Sequence, residues 1–322
     1  MPDAYYVCFI ALPEEMQYID SVIVASGNGR QSNNRPFNPQ SFRHIYWITE
    51  PTTRRVAEVT FIVNTEMGNL GTTSLVTHEL GTGEYEAAFI LGLAGTMQPN
   101  IYGLGDVVVA AGAKYLGFDK IKEGAANGFA PDSGKRINAD SWLRVKRDYV
   151  EWHHSDRWLS GYVHSRSGAP PVGLQGVGAS LVPHRPDLVN GRPRLHQGIV
   201  FGSDWVVDSG EHLDFLMARN VSFDTDWYRA HGNSQEQSRT RWLSSDAACL
   251  DMESFGFFKA LKMSASSLFH GIAVRGISDP CRDKSAVQAA TPTGIRDIAA
   301  RNAAIVLIDI IFNMISSDAG RF

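Results

Sequence analysis

Four stretches of this chain, residues 5–12, 59–63, 87–93 and 107–111, are apolar or nearly so from end to end. A strand with one wet face alternates polar and apolar residues. Continuous apolar runs therefore belong to strands buried on both faces, the condition of a mostly parallel sheet covered by helices. Punctuation between the runs supports this. Pro13-Glu14-Glu15 opens a helix whose buried stripe is Met16, Ile19 and Val22, with proline at the first helical position and acids facing the dipole. Residues 26–43 read as a surface loop and 45–48 as a strand. Met67-Gly68-Asn69-Leu70-Gly71-Thr72-Thr73 is a glycine turn leading into a helix through Leu80, and the third run closes on Gly92-Leu93-Ala94-Gly95.

Strands alternating with helices predict an α/β fold with a single mixed, largely parallel central sheet flanked by helices. Ligand sites in such sheets gather at the carboxyl ends of strands, where these glycine turns lie. From about Lys114 to Leu195 the pattern blurs into Gly, Pro, Trp, His and Arg, so this stretch is expected to be a long insertion or lid within one domain spanning 1–322. Regularity returns with a strand at 197–201, a helix carrying Leu250-Asp251-Met252-Glu253-Ser254 with apolar Phe255, Phe258 and Leu261, a strand at 272–277, and a final helix over about 295–315 with an apolar face.

Composition narrows the partners. A net charge of −4 lacks the basic excess that a nucleic-acid or anionic-membrane surface needs, which leaves a small molecule. Three widely spaced cysteines, Cys8, Cys249 and Cys281, form neither a disulfide framework nor a metal knuckle and suit a reducing cytoplasm. Residues 5–12 are too short to span a bilayer and lack the flanks of a signal peptide. Neither Gly103-Leu104-Gly105 nor Gly176-Val177-Gly178 completes a dinucleotide fingerprint, Gly134-Lys135 is no phosphate loop, and His153-His154 lacks metal-ligand spacing. The expectation is no cofactor and no metal.

Four segments, in order, resemble the nucleoside phosphorylase and nucleosidase superfamily, and in particular the methylthioadenosine/S-adenosylhomocysteine nucleosidases. They are Ala11-Leu12-Pro13-Glu14-Glu15-Met16; Leu91-Gly92-Leu93-Ala94-Gly95 followed by Gly105-Asp106-Val107-Val108-Val109; Leu250-Asp251-Met252-Glu253-Ser254; and Val274-Arg275-Gly276-Ile277-Ser278-Asp279. The resemblance implies a nucleoside phosphorylase-like fold and hydrolysis of a purine, foremost adenine, from its sugar. It makes Asp279 the general acid at N7 of the leaving base, its pKa raised by burial at a strand end, and Glu15 the base that activates water, with Glu14 its second-ranked neighbour. Taken alone, Glu14 and Glu15 are also ordinary first-turn helix acids.

By the same resemblance Glu253 takes the ribose hydroxyls, Met252 packs beneath the sugar, Trp205 stacks on the purine while backbone near Val206 reads its edge, and Met67 and Gly95 in the glycine turns complete the substrate contacts. The alternative for Met252 is core filler, and for Trp205 a structural role; the stretch Gly202-Ser203-Asp204-Trp205 departs from the family's usual Ser-Gly-Asp order.

Phosphorolysis is the competing chemistry. Phosphorylases need a cationic anion site and a serine in the turn, whereas this chain offers Glu14 and Glu15 and places Leu93 where that serine stands, so water is the expected nucleophile. Leu93 also removes a contact on the nucleophile side. Arginines such as Arg144, Arg166 and Arg194 in the 114–195 stretch leave a 5′-phosphate, as in AMP or ATP, open; similar domains with extra elements include effectors of bacterial antiviral defence. A catalytically silent nucleotide sensor is the non-enzymatic alternative. The resemblance further implies a homo-oligomer, a dimer or larger.

Overall fold

The computed structural model describes residues 2–32, 37–38, 40–66, 68–96, 98–99, 101–121, 143–146, 149–151, 153–166, 193–203, 208, 247–264, 270–282 and 294–316. The predicted apolar runs are strands β1 (Ala4–Ile10), β4 (Val56–Val63), β5 (Ala87–Thr96) and β6 (Val107–Ala110). Of these, β1 pairs in parallel with β4 on one side and β5 on the other, which explains why residues 6–10 are buried throughout. Strand β3 (Arg43–Thr49) lies antiparallel to β4, and the edge beyond it is β2 (Gly29–Gln31), a short strand inside what the sequence suggests is only a loop. Polar Gly-Arg-Gln carries no apolar signal; its pairing with β3 defines it.

Beyond β5 the sheet forks. Along most of its length β5 is joined in parallel by β13 (His270–Asp279), which carries β6 antiparallel and then β10 (Leu195–Gln197). At its carboxyl end β5 instead pairs antiparallel with β12 (Ala247–Asp251), followed by β11 (Ile199–Ser203) and β7 (Gly112–Ile121), with β8 (Leu143–Lys146) and β9 (Tyr149–Glu151) on β7. This mixed, mostly parallel sheet with flanking helices is the predicted fold class. The ends of β5, β12 and β13 meet at the fork, so Gly95, Asp251 and Asp279 come from three strands to one place.

Helices α1 (Pro13–Ser26) and α5 (Ile295–Ser316) cover one face, and α2 (Asn69–Thr82) and α4 (Ser254–Ser264) the other, each over its own apolar core. Helix α5 is buried nearly all round rather than on one face. It is the one described helix apolar and long enough to cross a membrane, yet 89% of that window is buried inside the molecule, as in a core helix. Part of its cover comes from α3 (His153–Arg166), which lies within the stretch expected to be an insertion or lid. Leu159 and Tyr162 of α3 enter the same core as α5. Buried Asp309 of α5 accepts the Tyr162 hydroxyl at 2.7 Å and pairs with Arg166 Nε at 3.0 Å. Arg166 is thereby engaged in docking α3.

One boundary differs from expectation. Leu250 and Asp251 lie in β12, and the helix begins only at Ser254. Two forces override the helical reading. Ala248, Cys249 and Leu250 are buried between β5 and β11, and the Asp251 carboxylate, accepting Glu253 N at 3.3 Å and Ser254 N at 3.1 Å, caps the helix that follows. Met252 and Glu253 therefore sit in a strand-to-helix turn.

Candidate active site

Leu12 ends β1's exit turn, Pro13 starts α1, and Glu15 follows with its carboxylate folded back. Oε2 accepts Leu12 N at 3.0 Å and Oε1 accepts Leu93 N at 3.1 Å, so this side chain fastens the first helix to the end of β5. It is 2% exposed. Burial pushes its pKa from 4.5 up to about 8; the Arg275 charge and the two N–H donors pull the other way, and neighbouring Glu253 adds to the rise.

Arg275 is the residue that sequence reasoning left without a role. It sits mid-strand in β13, fully buried, with Nε 2.7 Å from Asp251 Oδ2 and 3.1 Å from Ser254 Oγ, and Nη2 3.8 Å from Glu253 Oε2. Burial opposes its charge, but Asp251, Glu253 and Glu15 together outweigh that and raise its pKa. Among the described residues, Nη1 and Nη2 are buried without a hydrogen-bond partner. The signal was present: one arginine inside Ile272-Ala273-Val274-Arg275-Gly276-Ile277 is a cation in an otherwise buried run. Gly92, its register partner on β5, has to be glycine because a Cβ there would overlap Nη1.

Glu253 is buried beside this guanidinium. Burial raises its pKa; Arg275 opposes the rise, Asp251 adds to it, and the Gly68 and Met252 N–H groups oppose it. Met252 is half-buried at the same turn. Glu253 precedes α4 and faces Arg275, so it is no ordinary position on the amphipathic helix.

Asp279 ends β13 next to Gly95, the two being register partners after a bulge. Its Oδ1 accepts Cys281 N at 2.9 Å and its Oδ2 accepts the Ser278 hydroxyl at 3.0 Å. Cys281 adopts φ 55°, a left-handed conformation that turns its N–H back to the carboxylate across Pro280. The Ser278 hydroxyl also lies 3.4 Å from Ala94 O, a second acceptor within its reach. A Cβ on Gly95 would stand 2.6 Å from Asp279 Oδ1 and overlap Cys281 Sγ, which fixes glycine there.

The structure thus gathers Glu15, Glu253, Met252, Gly95 and Asp279 around the carboxyl ends of the strands, and adds Arg275, Asp251 and Ser278. Glu14 is exposed on α1. Leu93 is half-buried and contributes its N–H to Glu15. Met67, Trp205 and Val206 lie outside the described residues, as do Lys135, Arg136, Arg185 and Arg192 of the basic stretch. Asp106 of the Gly105-Asp106 motif is structural: its carboxylate accepts Gly103 N at 2.9 Å and Arg194 N at 2.8 Å and meets His196 Nε2 at 2.8 Å.

Three carboxylates, Asp251, Glu253 and Glu15, thus surround a buried guanidinium, and a fourth, Asp279, stands at a neighbouring strand end, an arrangement able to donate and accept protons. Solved structures share this frame. Futalosine hydrolase of Helicobacter pylori strain 26695 is 14% identical, with 96% of this chain and 97% of that one covered and a TM-score of 0.53. The nucleoside phosphorylase/nucleosidase fold is the fold of this chain. The MTA/SAH nucleosidase of Streptococcus pneumoniae, solved with 8-aminoadenine, is 16% identical over 95% and 98% of the two chains at a TM-score of 0.53. The Helicobacter pylori methylthioadenosine/S-adenosylhomocysteine nucleosidase, in complex with a pyrrolopyrimidine compound, is 13% identical over 97% and 99% at 0.53. No family model and no curated protein matches the sequence.

Proposed function

We propose that this chain hydrolyses the N-glycosidic bond of a purine nucleoside, with adenine as the base. The observation that carries the proposal is the buried set Glu15–Arg275–Glu253 together with Asp279, held by Ser278 and Cys281, at the end of β13. Support comes from the shared fold with structures of nucleosidases, one of them holding 8-aminoadenine.

In the proposed reaction the C1′–N9 bond breaks and its electron pair goes to the purine. Asp279 passes a proton to N7, so the base leaves neutral rather than as an anion. Ser278, released from Oδ2 while that oxygen is protonated, returns its hydroxyl to Oδ2 as the carboxylate forms. Water adds to C1′ from the opposite side and gives its proton to Glu15. Among the described residues Arg275 Nη1 and Nη2 have no hydrogen-bond acceptor, and they are suited to hold the attacking oxygen and a ribose hydroxyl between Glu15 and Glu253. Glu253 accepts from the ribose hydroxyls. With burial raising its pKa to about 8, Glu15 becomes a base as pH rises through that value.

Phosphate is disfavoured as nucleophile because the one buried guanidinium of the described site already faces three carboxylates. Of the arginines considered for a 5′-phosphate, Arg166 is held by Asp309. The reading also carries a cytoplasmic homo-oligomer of single-domain subunits, with Met67, Trp205 and Val206 closing the substrate site. The test is chromatographic release of adenine from methylthioadenosine, adenosine, AMP and ATP, with and without phosphate, by wild type and Asp279→Asn. Phosphate-independent release, abolished in the variant, is the expected result. Sugar 1-phosphate formed only with phosphate would overturn hydrolysis, and binding without release by wild type would favour the sensor.

A further inference from the structure

Resting on the hydrolytic reading, we infer that Asp251 is a positioning residue: one of its oxygens aims the Arg275 guanidinium and the other sets Glu253 beside it. Asp251 ends β12 and is buried. Its Oδ2 lies 2.7 Å from Arg275 Nε and accepts the Ser254 hydroxyl, whose oxygen accepts Nε–H at 3.1 Å. Its Oδ1 accepts Glu253 N at 3.3 Å and Ser254 N at 3.1 Å, which shapes the turn that opens α4.

A guanidinium is a rigid planar fork, so fixing its Nε edge fixes where the other two nitrogens point. Nη2 stands 3.8 Å from Glu253 Oε2. Nη1 lies over Gly92, where a Cβ would overlap it, and the next residue, Leu93, gives its N–H to Glu15. Among the described residues neither nitrogen has a hydrogen-bond acceptor. Two buried donors left open in this way call for ligand oxygens. Burial works against the Arg275 charge, and of the groups that restore it Asp251 acts most strongly, ahead of Glu253 and Glu15. Because Asp251 takes the Nε edge, that compensation leaves both Nη donors for the ligand.

The two oxygens make the roles separable. In Asp251→Asn the side-chain oxygen still accepts from Glu253 N and Ser254 N, while the NH2 group meets Arg275 Nε–H donor to donor. A residue that only shaped the turn would tolerate this change, since Asn serves helix starts as well as Asp. A double-mutant cycle combines it with Arg275→Lys, which keeps the charge but has no Nη pair to aim. The cycle is read in kcat/KM and in the calorimetric dissociation constant, with whichever of methylthioadenosine, adenosine, AMP and ATP the wild type cleaves.

Asp251→Asn should lower kcat/KM about 10- to 100-fold in the wild-type background, the size of a lost charge-assisted hydrogen bond, and less than about threefold in the Arg275→Lys background. Equal losses in the two backgrounds, or no loss in either, would overturn the inference and leave Asp251 a turn-forming residue. If Asp251→Asn does not fold, Ser254→Ala, which removes the hydroxyl between Oδ2 and Nε, runs through the same cycle under the same criterion. Wild type that binds one of the four compounds without cleaving it would sink the enzymatic reading alone, and the cycle on the dissociation constant would then decide the role of Asp251. Wild type that neither cleaves nor binds any of them would overturn both.

Discussion

Replacing Glu15 by glutamine should make the protein more stable relative to wild type as pH rises. The carboxyl is almost wholly buried and its pKa stands at about 8 against an ordinary 4.5. A raised carboxyl pKa means that the folded protein binds this proton more tightly than the unfolded chain does. Wild-type stability from this group is undiminished below about pH 4.5, declines between 4.5 and 8, and is lowest above 8. Glutamine carries no such dependence. It does lose one of the two N–H contacts to Leu12 and Leu93, a cost of about 1–3 kcal/mol that does not vary with pH. The difference between variant and wild type should therefore move in the variant's favour by about 2–4 kcal/mol between roughly pH 5 and pH 9. Urea unfolding of both proteins across that range measures it. A constant difference, or one moving toward wild type, would refute the account of Glu15.

Other perturbations test the rest of the network. Arg275→Met leaves Asp251, Glu253 and Glu15 buried without their counter-charge and should cost about 3–5 kcal/mol in urea unfolding, with the alkaline-rising limb of kcat/KM moving to higher pH in any protein that folds. Gly92→Ala should displace the Arg275 guanidinium, lowering kcat/KM at least tenfold while costing about 1–3 kcal/mol, measured by kinetics beside thermal unfolding. Asp279→Asn should reduce kcat for adenine release by about 10²–10⁴-fold. Ser278→Ala should show a smaller loss, reported by single-turnover base release.

Much of the site could be read from residue types because each carboxylate sits where a strand ends and a helix or turn begins. Pro13-Glu14-Glu15 announces a helix start, and Asp279 closes an apolar run. Periodicity could not separate Glu14 from Glu15; the difference lies in which carboxylate reaches back to Leu12 and Leu93, a contact 78 residues away in sequence. Arg275 was visible only as an anomaly in a buried strand, since its three acidic neighbours arrive from α1, β12 and the turn after it. The β12–α4 boundary misled for a related reason. Leu250-Asp251-Met252-Glu253 carries neither glycine nor proline, and the break is made by the Asp251 cap and by pairing with β5 and β11. Likewise the docking of α3 on the core was not legible, because its anchor, Asp309, is buried in the last helix.

The central claim is tested most directly by running the reaction in ¹⁸O-labelled water with a purine nucleoside and following both products by mass spectrometry. The account predicts one ¹⁸O at C1 of the released sugar, unlabelled adenine, and no dependence on phosphate. Sugar 1-phosphate as product, or no cleavage of any purine nucleoside by folded protein above pH 8, would contradict it.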